Sequence, residues 1–135
     1  MITAVDTNVL IDVFAGDARF GPGSRDALER ARNEGALVLS DVVWAETVAA
    51  FGEPDAAEAA IATLGATFSA PTREAGTAAA TAWRAYRTAG GPRSRVVSDF
   101  LVGAHALVQA DRLLTRDRGF YRRYFSGLTV LDPTA

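Results

Sequence analysis

The run Ala4-Val5-Asp6-Thr7-Asn8-Val9-Leu10-Ile11-Asp12 constrains the fold more than any other stretch of the chain. An apolar segment, Ile2 to Val5, breaks at Asp6 and gives way at once to a helical stripe of Val9, Leu10, Val13 and Phe14. This pattern is a short buried strand whose C-terminal end delivers a carboxylate, followed directly by a helix. In open α/β sheets the functional crevice lies beyond the C-terminal ends of the strands. Asp6 is therefore a candidate site residue if the chain brings other groups to meet it.

The rest of the sequence repeats the alternation. Gly21-Pro22-Gly23 reads as a turn, Ser24 as a helix cap, and a helix is predicted from Arg25 to Asn33, ended by Gly35. Ala36-Leu37-Val38-Leu39 is short and apolar enough for a buried parallel strand. Ser40 or Asp41 opens a helix that carries Glu46, with Val43, Trp44, Thr47, Val48 and Phe51 in a helical pattern. Glu53-Pro54-Asp55 starts another helix, and Thr67-Phe68 is either a minor strand or a connection. An alanine-rich helix is predicted from Pro71 to about Thr88, and a further one from Ser98 to Ala110 places Asp99 in its first turn. Leu113-Leu114-Thr115 is a strand that ends close to Asp117. A short helix from Gly119 to Phe125 and a last strand, Leu128 to Leu131, complete the chain. Strands alternating with helices, without hairpin signals, predict a three-layer α/β/α domain around a mainly parallel sheet. No linker or repeat divides residues 1–135, so one domain is expected.

Composition removes several function classes. There is no cysteine, which excludes disulfides, thiolate metal sites and cysteine nucleophiles. All 14 basic residues are arginine, so a catalytic lysine is excluded as well. No basic region precedes an apolar stretch at the N-terminus, and no segment approaches the roughly 18 apolar residues of a membrane span. A soluble cytoplasmic protein without membrane association is the expectation. The formal net charge of −2 conceals an asymmetry: residues 1–60 hold 11 Asp and Glu against four Arg. Residues 84–123 hold nine Arg against only Asp99, Asp111 and Asp117. Such asymmetry suits a side that faces a polyanion, and arginine suits bidentate phosphate contact. An all-arginine chain is equally what a GC-rich genome would encode.

Four acids fall where the predicted topology can gather them. Asp6 and Asp117 follow short apolar strands; Glu46 and Asp99 lie on helices that begin at the same sheet edge. Four carboxylates without a basic partner repel one another, and some stay protonated unless a cation neutralises them. A hard divalent ion with oxygen ligands, Mg²⁺ above all, is the natural occupant. The absence of cysteine and the single histidine argue against zinc. Two such ions about 4 Å apart would serve an in-line attack of water on a phosphodiester. Each acid also has a structural reading: Asp6 as the cap of the first helix, Asp117 as the cap of the helix after it, Asp99 against a helix dipole, and Glu46 as a solvated residue.

The stretches around these acids resemble the PIN-domain family of metal-dependent nucleases, in particular the toxin subunits of bacterial VapBC-type toxin–antitoxin systems. The matching pieces are Val5-Asp6-Thr7-Asn8-Val9-Leu10-Ile11-Asp12, Glu46 on the third helix, Ser98-Asp99-Phe100-Leu101-Val102-Gly103-Ala104-His105-Ala106-Leu107, and Leu113-Leu114-Thr115-Arg116-Asp117-Arg118-Gly119-Phe120-Tyr121. They span essentially the whole chain, with the acids in the family's order. The resemblance implies a sheet of about five strands, with Mg²⁺ or Mn²⁺ held by Asp6, Glu46, Asp99 and Asp117. It also implies RNA as substrate, cleaved by a metal-activated water, together with homodimerisation and inhibition by a cognate antitoxin.

Around the acids, Asn8 and Thr115 are short polar groups suited to orienting a carboxylate or a metal-bound water, and Thr7 either joins them or caps the helix. Arg93, Arg95, Arg116 and Arg118 lie next to the acids in sequence and are candidates for RNA phosphates. Asp12, more than a turn down the first helix, reads as solvated. His105 lies about 120° around its helix from Asp99 and reads as structural or interfacial. Trp44, Phe51, Trp83 and Tyr86 sit at core spacing. Two readings from other classes fail on single residues: a receiver-type signalling domain usually needs a lysine, and an Asp-x-Asp phosphatase needs an acid where Asn8 stands. A non-catalytic PIN-like interaction module is the remaining alternative, and loss of one of the acids would be its signature.

Overall fold

In the computed structural model, which describes residues 1–92 and 97–134, five parallel strands form one sheet in the order β3-β2-β1-β4-β5. The strands are β1 (Ile2–Val5), β2 (Ala36–Leu39), β3 (Ala66–Phe68), β4 (Arg112–Leu114) and β5 (Val130–Leu131). Between and around them run α1 (Thr7–Phe14), α2 (Gly21–Glu34), α3 (Asp41–Phe51), α4 (Pro54–Leu64), α5 (Arg73–Thr88), α6 (Val97–Gln109) and α7 (Arg118–Tyr124). The chain steps outward from β1 to β3, then crosses back to lay β4 and β5 on the other side of β1. With right-handed crossovers, that reversal of direction brings helices onto both faces of the sheet, giving the three-layer arrangement. It also leaves a switch point between β1 and β4, where the crevice beyond the strand ends opens.

The strands match their expected positions to within one or two residues, since each is an apolar run too short for a helix. Thr67-Phe68, open at the sequence level, belongs to the edge strand β3, which pairs with β2 through Thr67 opposite Val38. The helix α2 differs more. It starts at Gly21, a full turn before Arg25, so the segment read as a turn is its first turn. Proline is tolerated there because the first helical N–H groups have no partner to lose. The turn itself lies upstream, where the Asp17 carboxylate accepts from the backbone N–H groups of Arg19 (2.9 Å) and Phe20 (2.7 Å). Ser24 is therefore not a cap; it lies buried inside α2.

The core is built on the three inner strands, β2, β1 and β4, with Val5, Leu37, Leu39, Leu113 and Leu114 in one cluster with Leu10, Leu28 and Ile61. On the α5–α6–α7 side it is aromatic. Phe100 meets Tyr86 at 5.3 Å and Phe120 at 5.1 Å between ring centroids, and Tyr124 packs on Tyr86 at 5.2 Å. This cluster clamps α7 onto α6 and so brings together the beginnings of the helices that follow Asp117 and carry Asp99. Two further aromatic pairs are packing as well: Trp44 lies edge-on to Phe68, and Phe51 to Phe14. Among the described residues, no helix is long and apolar enough to cross a membrane.

Two expectations follow from this packing. Gly103 faces Phe125 so closely that an added Cβ would stand 2.5 Å from the ring. Gly103→Ala should therefore lower stability, because overpacking a filled core costs about 1–3 kcal/mol against a helix-propensity gain of at most about 1 kcal/mol. An unchanged denaturation midpoint would contradict this. His105 is buried on α6, with Nε2 at 2.9 Å from the Ser69 hydroxyl, and burial pushes its pKa below 6.5. A histidine held neutral contributes stability that is fully present above its unfolded pKa and is lost as the pH falls through the folded one. Denaturation midpoints should thus decline on acidification from 6.5 downward. In His105→Gln that decline should be shallower.

Candidate active site

Asp6 follows the last residue of β1 and is the N-cap of α1. Its backbone N–H still continues the sheet ladder to the Leu114 carbonyl (2.9 Å), so the carboxylate is fixed between β1 and β4. The donors around it are dense. Oδ1 accepts from the Thr7 backbone N–H at 2.8 Å; Oδ2 accepts from the Thr115 hydroxyl at 2.8 Å and from the Asn8 amide at 3.4 Å. The Tyr121 hydroxyl lies close enough to favour the charged carboxylate as well. Burial nevertheless holds the Asp6 pKa above its ordinary value, and the negative charge of Glu46 pushes the same way, while Thr115, Thr7 and Tyr121 oppose it. Among the described residues, no positive charge offsets the burial of this well-oriented carboxylate.

The structure brings the other three acids to the same edge. Glu46, exposed on α3, accepts a hydrogen bond from the Thr7 hydroxyl at 2.9 Å. Thr7 thus touches both acids, its N–H on Asp6 and its hydroxyl on Glu46. Asp99 stands half-buried in the first turn of α6, and Asp117 half-buried at the start of α7. Asp117 holds the N-cap position of α7 but makes no capping hydrogen bond, which removes its structural reading. Asp6 does cap α1, and the negative charge of Glu46 acts on the same carboxylate.

Tyr121 links the set. It is buried on α7, and its hydroxyl is pushed well above the usual phenol range by burial and by the charges of Asp6, Asp99 and Asp117. Three of the four acids therefore act on one neutral hydroxyl. Sequence reasoning assigned Tyr121 no role, although it lies one helical turn beyond Asp117, the spacing that places two side chains on one helix face.

Thr115, fully buried, is the pivot between the two strand ends. Its hydroxyl donates to Asp6, accepts from the Asp117 backbone N–H at 3.0 Å and receives the Asn8 amide at 3.3 Å. Asn8 in turn accepts from the Arg116 backbone N–H at 3.1 Å. Thr7, Asn8 and Thr115 all orient acids, which is the arrangement expected around ligating carboxylates.

The arginines divide. Arg93 and Arg95 lie outside the described residues. Arg118 is half-exposed and lies 3.4 Å from Asp132. Arg116, expected among the RNA contacts, instead grips Asp12 with Nε to Oδ2 at 2.7 Å and Nη2 to Oδ1 at 3.0 Å. Asp12, expected to be solvated, is only 4% exposed. It sits three residues after the buried Val9, hence on the inward face of α1, and the charge is tolerated there because Arg116 and the Ser24 hydroxyl (2.9 Å) satisfy it.

The donor set is suited to a hard divalent ion: carboxylates and hydroxyls, no cysteine, and the single histidine engaged with Ser69 elsewhere. Among the described residues, no three acidic or histidine side chains are gathered into a ready metal cage. Mg²⁺ does not require one, because it usually keeps several waters and takes one or two carboxylates plus substrate phosphate.

Solved structures with this fold are similar over nearly their full length. VapBC2 from Rickettsia felis, bound to a DNA fragment from its promoter, shares 14% identity with a TM-score of 0.77, covering 98% of each chain. VapBC-1 from nontypeable Haemophilus influenzae shares 21% at a TM-score of 0.75 over 100% of both chains. FitAcB from Neisseria gonorrhoeae shares 18% at 0.71 over 99% of both. No curated protein sequence matches. The family profile described as "PIN domain" matches residues 3–126, nearly the whole chain. On that match, the chain belongs to the PIN-domain family.

Proposed function

We propose that this protein is the toxin of a VapBC-type toxin–antitoxin system, acting in the cytoplasm as an endoribonuclease that requires Mg²⁺, with Mn²⁺ as a substitute. The observation that carries the reading is Asp6. It stands at the switch point of the sheet, raised in pKa by burial and by Glu46, and shares the Tyr121 hydroxyl with the fields of Asp99 and Asp117. PIN domains are generally nucleases, and the similar folds named above come from VapBC and FitAB-type complexes.

Asp6, Glu46 and Asp99 are the main metal ligands in this reading, and Asp117 completes or tunes the site. When bound, the ion supplies a water of lowered pKa and a positive charge for the scissile phosphate. The remaining work falls to the chain. Thr7, Asn8 and Thr115 keep the carboxylates in place, and Tyr121 holds a proton at its hydroxyl beside Asp6 throughout. Arg93, Arg95 and Arg118 are the candidates for RNA phosphates. Loop or single-stranded RNA is the favoured substrate, since bases splayed from a loop are what sequence-selective proteins read. A homodimer and a cognate antitoxin that blocks the site complete the reading.

The test is cleavage of structured RNA by the purified protein with Mg²⁺ or Mn²⁺ and with chelator. Cleavage only with the divalent ion is expected, and an equal rate in chelator would refute the metal-dependent reading. In cells, expression of the chain alone should arrest growth and Asp99→Ala should relieve the arrest; undiminished toxicity of that variant would count against Asp99 as a ligand.

A further inference from the structure

The segment Thr115-Arg116-Asp117 joins β4 to α7 without regular structure of its own, yet it supplies the pivot hydroxyl and one of the acids. Its middle residue points away from the acids. The Arg116 fork closes on both oxygens of Asp12, and its guanidinium carbon stands 4.1 Å above the Phe20 ring. Asp12 is held by the Ser24 hydroxyl from α2 as well. One residue thereby ties the segment to α1, to α2 and to the turn before α2. Its backbone N–H, bonded to Asn8, fastens the same segment to the start of α1.

We propose that the Asp12–Arg116 ion pair is the positioning device of the site, setting Thr115 and Asp117 against Asp6, and that Arg116 does not contact substrate. The proposal rests on the nuclease reading above for its kinetic consequences, but not for its structural ones. Thr115 and Asp117 are the immediate chain neighbours of Arg116, so any drift of the guanidinium moves both. The anchor needs arginine specifically. A planar fork spans two carboxylate oxygens while its face lies on an aromatic ring, whereas lysine offers a single point of attachment. An arginine so engaged on two nitrogens and one face is poorly placed to take a phosphate.

The two roles make opposite predictions for Asp12→Asn. If Arg116 is an anchor, removing the carboxylate charge loosens it, and both Asp12→Asn and Arg116→Lys should lower kcat about tenfold, the usual effect of losing a partner that orients a ligand. KM and its salt dependence should hardly change, and Mn²⁺ binding measured by calorimetry without RNA should weaken by a similar factor. Hydrogen exchange should quicken over residues 115–117 in both variants. If Arg116 is instead an RNA contact, Asp12→Asn frees a cation for phosphate and KM should fall, while Arg116→Gln should raise KM and flatten its salt dependence. That pattern overturns the proposal. So does unchanged kcat with unchanged Mn²⁺ affinity in Arg116→Lys, which keeps the charge and decides the matter alone should Asp12→Asn fail to fold. A wild-type protein that cleaves no RNA would refute the nuclease reading only. The exchange rates and the Mn²⁺ titration would still decide whether the anchor sets the segment.

Discussion

Asp6→Asn should lower RNA cleavage by a factor on the order of a hundred to a thousand, the loss typical of removing one electrostatic stabiliser from an active site. Its effect on stability should be small or favourable. The carboxylate is buried and its pKa is raised, so the fold bears a cost for keeping it charged. An amide of the same shape carries no such charge, and its oxygen can still accept from Thr115 or Thr7. The informative result is the combination: activity lost with the melting temperature maintained or higher. Equal cleavage by the variant would remove Asp6 from the site.

The largest effect on stability belongs to a residue outside the acid set. Asp12→Ala takes the bidentate partner from the Arg116 guanidinium and leaves the Ser24 hydroxyl without its acceptor. Breaking a buried ion pair by removing one partner costs about 3–5 kcal/mol. The lower end is expected here, because the Arg116 side chain retains 28% exposure and can turn toward water, whereas Asp12 retains 5%. Chemical denaturation should show a loss of about 3 kcal/mol, which in a domain of this size corresponds to a melting temperature lower by roughly 10 °C. Glu58→Ala, at an exposed position of α4, is the control and should stay within about 0.5 kcal/mol of wild type. A loss no larger than that control's would mean the pair contributes nothing net.

Much of the molecule was legible in the sequence because its strands are short apolar runs and its acids stand where those runs end. Asp6, Asn8, Asp99, Thr115 and Asp117 stand at strand ends or helix starts, and Glu46, further along α3, reaches Thr7. What escaped has a common cause: charge and proline were read locally. Asp12 has the spacing of a buried residue, but its partner is 104 residues away. Arg116 has the chemistry of a phosphate contact, and its grip on Asp12 shows only in the fold. Pro22 reads as a turn unless the first helical turn is recognised as the place where proline costs nothing. Tyr121 was hidden by its company, since an aromatic among Phe120, Tyr124 and Phe125 looks like core, and most of its ring is.

The placement of β4 beside β1 has a consequence in time. Asp6 is made long before the strand that leads to Thr115 and Asp117, which begins at Arg112. Its pairing with β1 is a contact between residues more than a hundred positions apart, the kind that forms late because a long loop must close first. A nascent chain released at β3 contains half of the site and none of its pivot. Asp6 and Asp117 therefore come to the same edge only after β4 has been made and has paired with β1.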